Sequence, residues 1–143
     1  MSTTALTTVL SLSRARSQVV RELDADLGAF HGLSLSDLAL LIELRSAPEH
    51  KLRRIDLANH LGVTPSGVAR HLAPLERMGL VGREPHARDA RLALVVLTDT
   101  GRRLVDDALP TAEQIAERVL GGRWSESEQN RLGQLLHQAT TTR

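Results

Sequence analysis

Ile55-Asp56-Leu57-Ala58-Asn59-His60-Leu61-Gly62-Val63-Thr64-Pro65-Ser66-Gly67-Val68 is the stretch that decides the fold. Gly62 offers the left-handed conformation that ends one helix and turns the chain sharply. Two residues on, Thr64 is placed as an N-cap and Pro65 as the first residue of a second helix, where its missing N–H costs nothing. Ala58 is small where two crossing helices must approach. Leu57, Leu61, Val63, Val68, Leu72 and Leu75 recur at the spacing that pins the second helix onto the first. The pattern is a helix-turn-helix, with helices over residues 53–62 and from Thr64 to Gly79. A pair of this kind can be purely structural, so its surroundings decide what it is for.

Downstream the period changes. Leu80 to Glu84 and Leu92 to Leu97 read as two strands of a hairpin. Its tip, Pro85-His86-Ala87-Arg88-Asp89-Ala90-Arg91, carries basic side chains. A solvated turn is the plain alternative. Directly after a helix-turn-helix, the hairpin reads as a wing lying along a sugar-phosphate backbone and minor groove.

Upstream, Leu6, Val9, Leu10, Val19, Val20, Leu23, Leu27 and Phe30 form the apolar stripe of a long helix closed by His31-Gly32. Ser34 reads as the N-cap of the next helix, with Asp37 three residues on and Ala47-Pro48 as its stop. After the hairpin, Thr98 caps a fifth helix, in which Pro110 predicts a kink. Gly121-Gly122 breaks the chain. Ser125 and Glu128 then make a capping box for a last helix carrying Leu132, Leu135 and Leu136. The fold class is mainly α (α+β): a winged helix-turn-helix with a two-stranded wing and long N- and C-terminal helices.

Charge follows the same division. Residues 1–50 carry −2, residues 51–103 carry +5 and residues 104–143 carry −2, within a net +1. Basic residues gathered in one segment are the footprint expected for phosphate contact, which releases condensed counterions. With no cysteine, disulfides, thiolate metal sites, a cysteine nucleophile and a thiol switch are excluded. The longest apolar run, Leu92 to Leu97, is far below the ~20 residues of a membrane span. Met1 to Thr8 carries no secretory pattern, so a cytoplasmic protein is expected.

The run Leu75-Glu76-Arg77-Met78-Gly79-Leu80-Val81, the wing residues Asp89-Ala90-Arg91 and the helix start Leu97-Thr98-Asp99-Thr100-Gly101 resemble the MarR family of regulators. The resemblance covers about residues 34–104. It implies one domain over 1–143, with residues 1–33 and 104–143 as dimerisation helices and 34–103 as the DNA-binding lobe. It further implies a homodimer reading a pseudo-palindrome on double-stranded DNA, with no cofactor, no enzymatic activity and no membrane.

By position, Thr64, Ser66, Gly67, Ala69 and Arg70 would face the major groove, and Arg70 stands where the family carries a DNA-contacting arginine. Arginine can grip guanine O6 and N7 with two hydrogen bonds. Arg91 corresponds to the wing arginine of the minor groove, and Asp89 would orient a wing arginine, since phosphates repel a carboxylate. Lys51, Arg53, Arg54, Arg77, Arg83 and Arg88 are candidate phosphate partners. A small-molecule effector, in the resembled family, would meet Phe30, His31, Leu35, Leu41 and Arg45.

Two residues depart from the family pattern. His71 stands where an aliphatic residue is usual, and Pro74 lies inside the second helix and should bend it.

Three other function classes fit the residues less well. An enzyme would need a phosphate-binding glycine loop, a nucleophile elbow or a metalloprotease motif, and none is present. His60 and His71 could approach each other as a zinc site, though backbone-bonded histidines are the simpler reading. A winged helix used only for protein contact fits poorly with the basic middle third.

Overall fold

The computed structural model describes residues 4–89 and 91–140. Met1 to Thr3, Ala90 of the expected wing and residues 141–143 of the expected last helix lie outside them. The elements are α1 (Ala5–His31), α2 (Leu35–Ser46), β1 (Lys51–Arg53), α3 (Arg54–Leu61), α4 (Pro65–Arg77), β2 (Val81–Pro85), β3 (Ala93–Leu97), α5 (Asp99–Ala116) and α6 (Glu126–Thr140). Among the described residues no single helix is long and apolar enough to cross a membrane.

The chain divides into two compact units, one of residues 1–35 with 111–143 and one of residues 36–110. In the first, α1 ends on Gly32 at φ 67, its N–H returning to the Gly28 and Leu27 carbonyls. His31 Nε2 and Thr111 Oγ1 are 2.8 Å apart, and Arg118 pairs with Asp26 at 3.0 Å. The N–H of Leu35, at the start of α2, donates to Asp24 Oδ1 at 2.7 Å. This cap comes from α1, a connection that the Ser34–Asp37 spacing does not reveal. A wide π-type turn over Glu117–Gly121 precedes α6. The expected capping box is present: Glu128 N–H donates to Ser125 Oγ and Ser125 N–H to Glu128 Oε2. Of the apolar stripe on α1, only Leu23 and Leu27 are buried, whereas Leu6, Val9, Leu10 and Phe30 are exposed.

The second unit is built on the helix-turn-helix. Leu57 and Ala58 of α3 and Val68, Leu72 and Leu75 of α4 are buried as the spacing requires. Leu61 is half-buried, and Val63 in the turn is exposed and pins nothing. Gly62 takes φ 68, and its N–H reaches the Ala58 and Asn59 carbonyls. Thr64 caps α4 by accepting the Gly67 N–H at 3.0 Å. α4 is helical through Pro74 to Arg77, so the proline does not end it. Likewise α5 passes through Pro110, and the division between the two units falls just after that residue.

The two-stranded wing is the β2–β3 hairpin, and a further short strand joins its sheet. β1 pairs antiparallel with β3, giving a three-stranded sheet in the order β1-β3-β2. β1 has only three residues, too short to show alternation. It follows a tight turn in which Glu49 and His50 adopt φ 56 and 58, unusual outside glycine. β2 and β3 pair in register from Val81↔Leu97 to Pro85↔Ala93, one residue later than the sequence suggests at each strand start.

Two family motifs meet in this unit. Thr98 Oγ1 lies 2.6 Å from the Gly79 carbonyl and 3.0 Å from that of Leu80, and it accepts the Gly101 N–H at 3.0 Å. The start of α5 is thereby tied to the end of α4 and the entry to β2.

Candidate nucleic-acid interface

α4 presents its first turns outward because its apolar residues, Val68, Leu72 and Leu75, all face the other side. Thr64, Ser66 and Arg70 are exposed, and Gly67 and Ala69 are partly covered. A Cβ at Gly67 would meet Thr64 Oγ1 at 3.1 Å, so its smallness also leaves room for the cap. Arg77, in the last turn, is exposed as well.

The wing tip is shaped by its own side chains. Arg91 Nε and Nη2 donate to the two carboxylate oxygens of Asp89 at 3.0 and 3.1 Å, and the Arg91 N–H donates at 3.0 Å. These bonds hold the Asp89 carboxyl below the usual carboxylate range. Arg91 is still 91% exposed, oriented yet reachable. The Arg88 N–H donates to His86 Nδ1 at 3.1 Å, with its guanidinium in solvent.

The candidate phosphate partners separate into two groups. Lys51 pairs with Glu84 at 2.7 Å, Arg53 with Asp56 at 2.8 Å and Arg83 with Glu76 at 2.8 Å. Each acid raises its partner's pKa, mainly through the hydrogen bond, and each must yield before a phosphate takes its place. Among the described residues, Arg54, Arg70, Arg77 and Arg88 hold no carboxylate. Arg53, Arg54 and Arg91 line a hollow of about 250 Å³ with Ile55, Leu92 and Ala93, where α3 begins beside β3. Arg54 Nε is the buried side-chain donor left without a partner among the described residues. Arg53, at the N-cap of α3, supplies no capping side chain.

The histidines sit differently from expectation. His60 Nδ1 lies 3.1 Å from Glu43 and His71 Nε2 lies 2.7 Å from Asp37, so both contact carboxylates of α2 rather than backbone. Among the described residues, no three His, Cys, Asp or Glu side chains gather to hold a metal. Of the effector candidates, Phe30 is 73% exposed, and His31 and Leu35 are bonded within the first unit as described. Leu41 is wholly buried, and Arg45 pairs with Asp106 at 2.7 Å.

Residues 33–92 match the profile of the MarR family. Sco3205, a MarR family transcriptional regulator from Streptomyces coelicolor solved in complex with DNA, superposes with a TM-score of 0.85 at 26% identity, over 95% of this chain and 86% of that one. Residues 33–92, the helix-turn-helix with most of its wing, form a MarR-type unit.

Among curated relatives, the uncharacterised HTH-type transcriptional regulator YdgJ of Bacillus subtilis is 35% identical over 89 residues, 62% of this chain and 53% of its own length. The chain spans about half the length of the curated relatives it matches. CouR of Rhodococcus jostii RHA1, solved with p-coumaroyl-CoA, superposes at a TM-score of 0.81 and 25% identity, over 92% of this chain and 90% of that one. Every candidate DNA contact, from Lys51 to Arg91, falls inside the MarR match, whereas Phe30 and His31 fall outside it.

Proposed function

We propose that the chain is a sequence-specific, DNA-binding transcription regulator that grips a pseudo-palindromic operator as a homodimer in the cytoplasm, and that it acts as a ligand-responsive repressor. The observation that carries this reading is the exposed start of α4, where Arg70 holds no carboxylate among the described residues, on the same unit as an arginine-tipped wing. α4 supplies base-edge donors from Thr64, Ser66 and Arg70, while Arg91 reaches the minor groove and Arg54, Arg77 and Arg88 hold phosphates. Seated across a promoter, such a dimer would block polymerase access. The DNA-bound state of Sco3205 and the small-molecule complex of CouR support the two halves of the reading.

The test is binding to genomic duplexes at two salt concentrations. Affinity should fall steeply with salt, the slope counting the phosphates contacted. Arg91→Ala should weaken binding severalfold with the dimer intact, and unchanged affinity would remove the wing from the mechanism. A wild-type protein that holds no duplex even in dilute salt, with or without candidate effectors, sinks the reading.

For dimerisation, the support is apolar surface in the first unit. Leu6, Val9, Leu10 and Leu12 of α1, Trp124, and Leu135 and Leu136 of α6 are all exposed on the same unit, apolar surface that a dimer contact would cover. Leu10→Asp would bury an unpaired charge in that contact, and should weaken the dimer about tenfold or more while helicity stays the same. Sedimentation showing an undisturbed dimer would place the contact elsewhere.

A further inference from the structure

The recognition helix carries a weakness and a compensation in the same turn. Pro74 has no N–H, so it cannot donate to the carbonyl of Arg70, and the turn from Arg70 to Pro74 lacks a rung of the helical ladder. That turn bears Arg70, the arginine proposed above to meet base edges. The remaining hold on α4 is largely apolar, through Val68, Leu72 and Leu75, and apolar contact is non-directional. It resists separation of the helix from its neighbours far better than it resists roll about the helix axis. For a side-chain tip ~6 Å from the axis, a roll of ~10° moves it by ~1 Å, enough to spoil a paired hydrogen bond to a base.

His71 follows Arg70 directly. Its Nε2 lies 2.7 Å from Asp37 Oδ1, with the two side chains only 27% and 23% exposed. Asp37 stands in the first turn of α2, where the helix dipole favours a negative charge and keeps the acceptor in place. The bond is directional and partly shielded from water, and it joins α4 to a helix that is neither its partner in the helix-turn-helix nor part of the wing. His60 of α3 makes a longer and more exposed contact, 3.1 Å, to Glu43, further along α2. Each helix of the pair is thus fixed to α2 by one histidine.

We propose that His71 is the positioning residue for sequence readout: its bond to Asp37 sets the roll of α4 and so the aim of Arg70. The inference rests on the DNA-binding reading above. Phosphate contacts tolerate a small roll because arginine chains are long and the backbone is uniform, whereas base-edge contacts do not. Loss of the bond should therefore reduce discrimination more than total affinity.

The experiment compares a duplex selected from a random library by the wild-type protein with an unselected duplex of the same length. His71→Leu fills the space and keeps the helix buried. It should lose about tenfold on the selected duplex, in line with one hydrogen bond to a charged group, and almost nothing on the other. His71→Gln can still donate to Asp37 and should recover most of the difference, which a purely space-filling role would not produce. Equal losses on both duplexes, full discrimination by His71→Leu, or no recovery by His71→Gln would each overturn the proposal. If the wild type binds neither duplex, it is the DNA-binding reading that fails. Amide exchange then decides the anchoring separately: faster exchange over residues 71–77 in His71→Leu but not in His71→Gln supports it, and unchanged exchange overturns it.

Discussion

Gly101→Ala should unfold at a much lower urea concentration than the wild type, with a stability loss on the order of 3 kcal/mol. The cause is a close approach of backbone to backbone. A Cβ at position 101 would lie well inside 3.0 Å of the Leu80 carbonyl oxygen and 2.7 Å from Leu97 Cδ1. Neither neighbour is a flexible tip that can swing aside. Leu80 is held by the Thr98 hydroxyl and leads into β2, and Leu97 is buried at the end of β3. The added methyl must therefore lift the first turn of α5 off the sheet, and the Thr98 bonds to Gly79 and Leu80 would stretch with it. Equilibrium unfolding in urea measures the effect. A midpoint within error of the wild type would show that α5 can shift freely, and that the glycine is present for some other reason.

That contact also explains why much of the fold was legible. The runs Leu75 to Val81 and Leu97 to Gly101 are recognisable because they touch: one supplies the carbonyls, the other the hydroxyl and the glycine that let them approach. Gly62 and Thr64-Pro65 were equally readable, since turn and cap chemistry acts between near neighbours in sequence. What escaped depends on partners far along the chain. β1 exists because Lys51 to Arg53 can pair with β3, some forty residues later, and three residues carry no period of their own. The Asp24 cap on Leu35 comes from another helix.

The candidate site shows the same boundary between local and distant. The orienting role expected for Asp89 acts over two residues, and the structure places that carboxylate on Arg91. Nothing in the sequence tells which arginines are already held by acids. Arg53 is taken by a near neighbour, but Lys51 is taken by Glu84 across the sheet, and only geometry separates them from Arg54, Arg70, Arg77 and Arg88. His71 read as a departure because an aliphatic residue is usual there, and its partner, Asp37, lies thirty-four residues earlier, beyond the reach of local spacing.

Arg70→Ala should cost roughly 1–3 kcal/mol of affinity for the operator, the value of a good two-point base contact, and far less on random duplex. The expectation rests on where the side chain stands. It is exposed on the outer face of α4, in the second turn after the Thr64 cap, and no acid among the described residues competes for it. Lys51, Arg53 and Arg83 would first have to leave a carboxylate, so part of what they gain from DNA is offset by what they give up. Arg70 begins unbound and needs only to be desolvated. On the DNA-binding reading proposed above, its neighbours Gly67 and Ala69 offer no hydrogen-bonding side chain, which leaves polar readout to this guanidinium and the hydroxyls of Thr64 and Ser66. Binding titrations of the variant on operator and on random duplex, each at two salt concentrations, separate the two roles. A base contact lowers operator affinity at both salts and leaves the salt slope almost unchanged. A phosphate contact lowers both affinities together and reduces the slope by about one; that second pattern would move sequence readout away from Arg70.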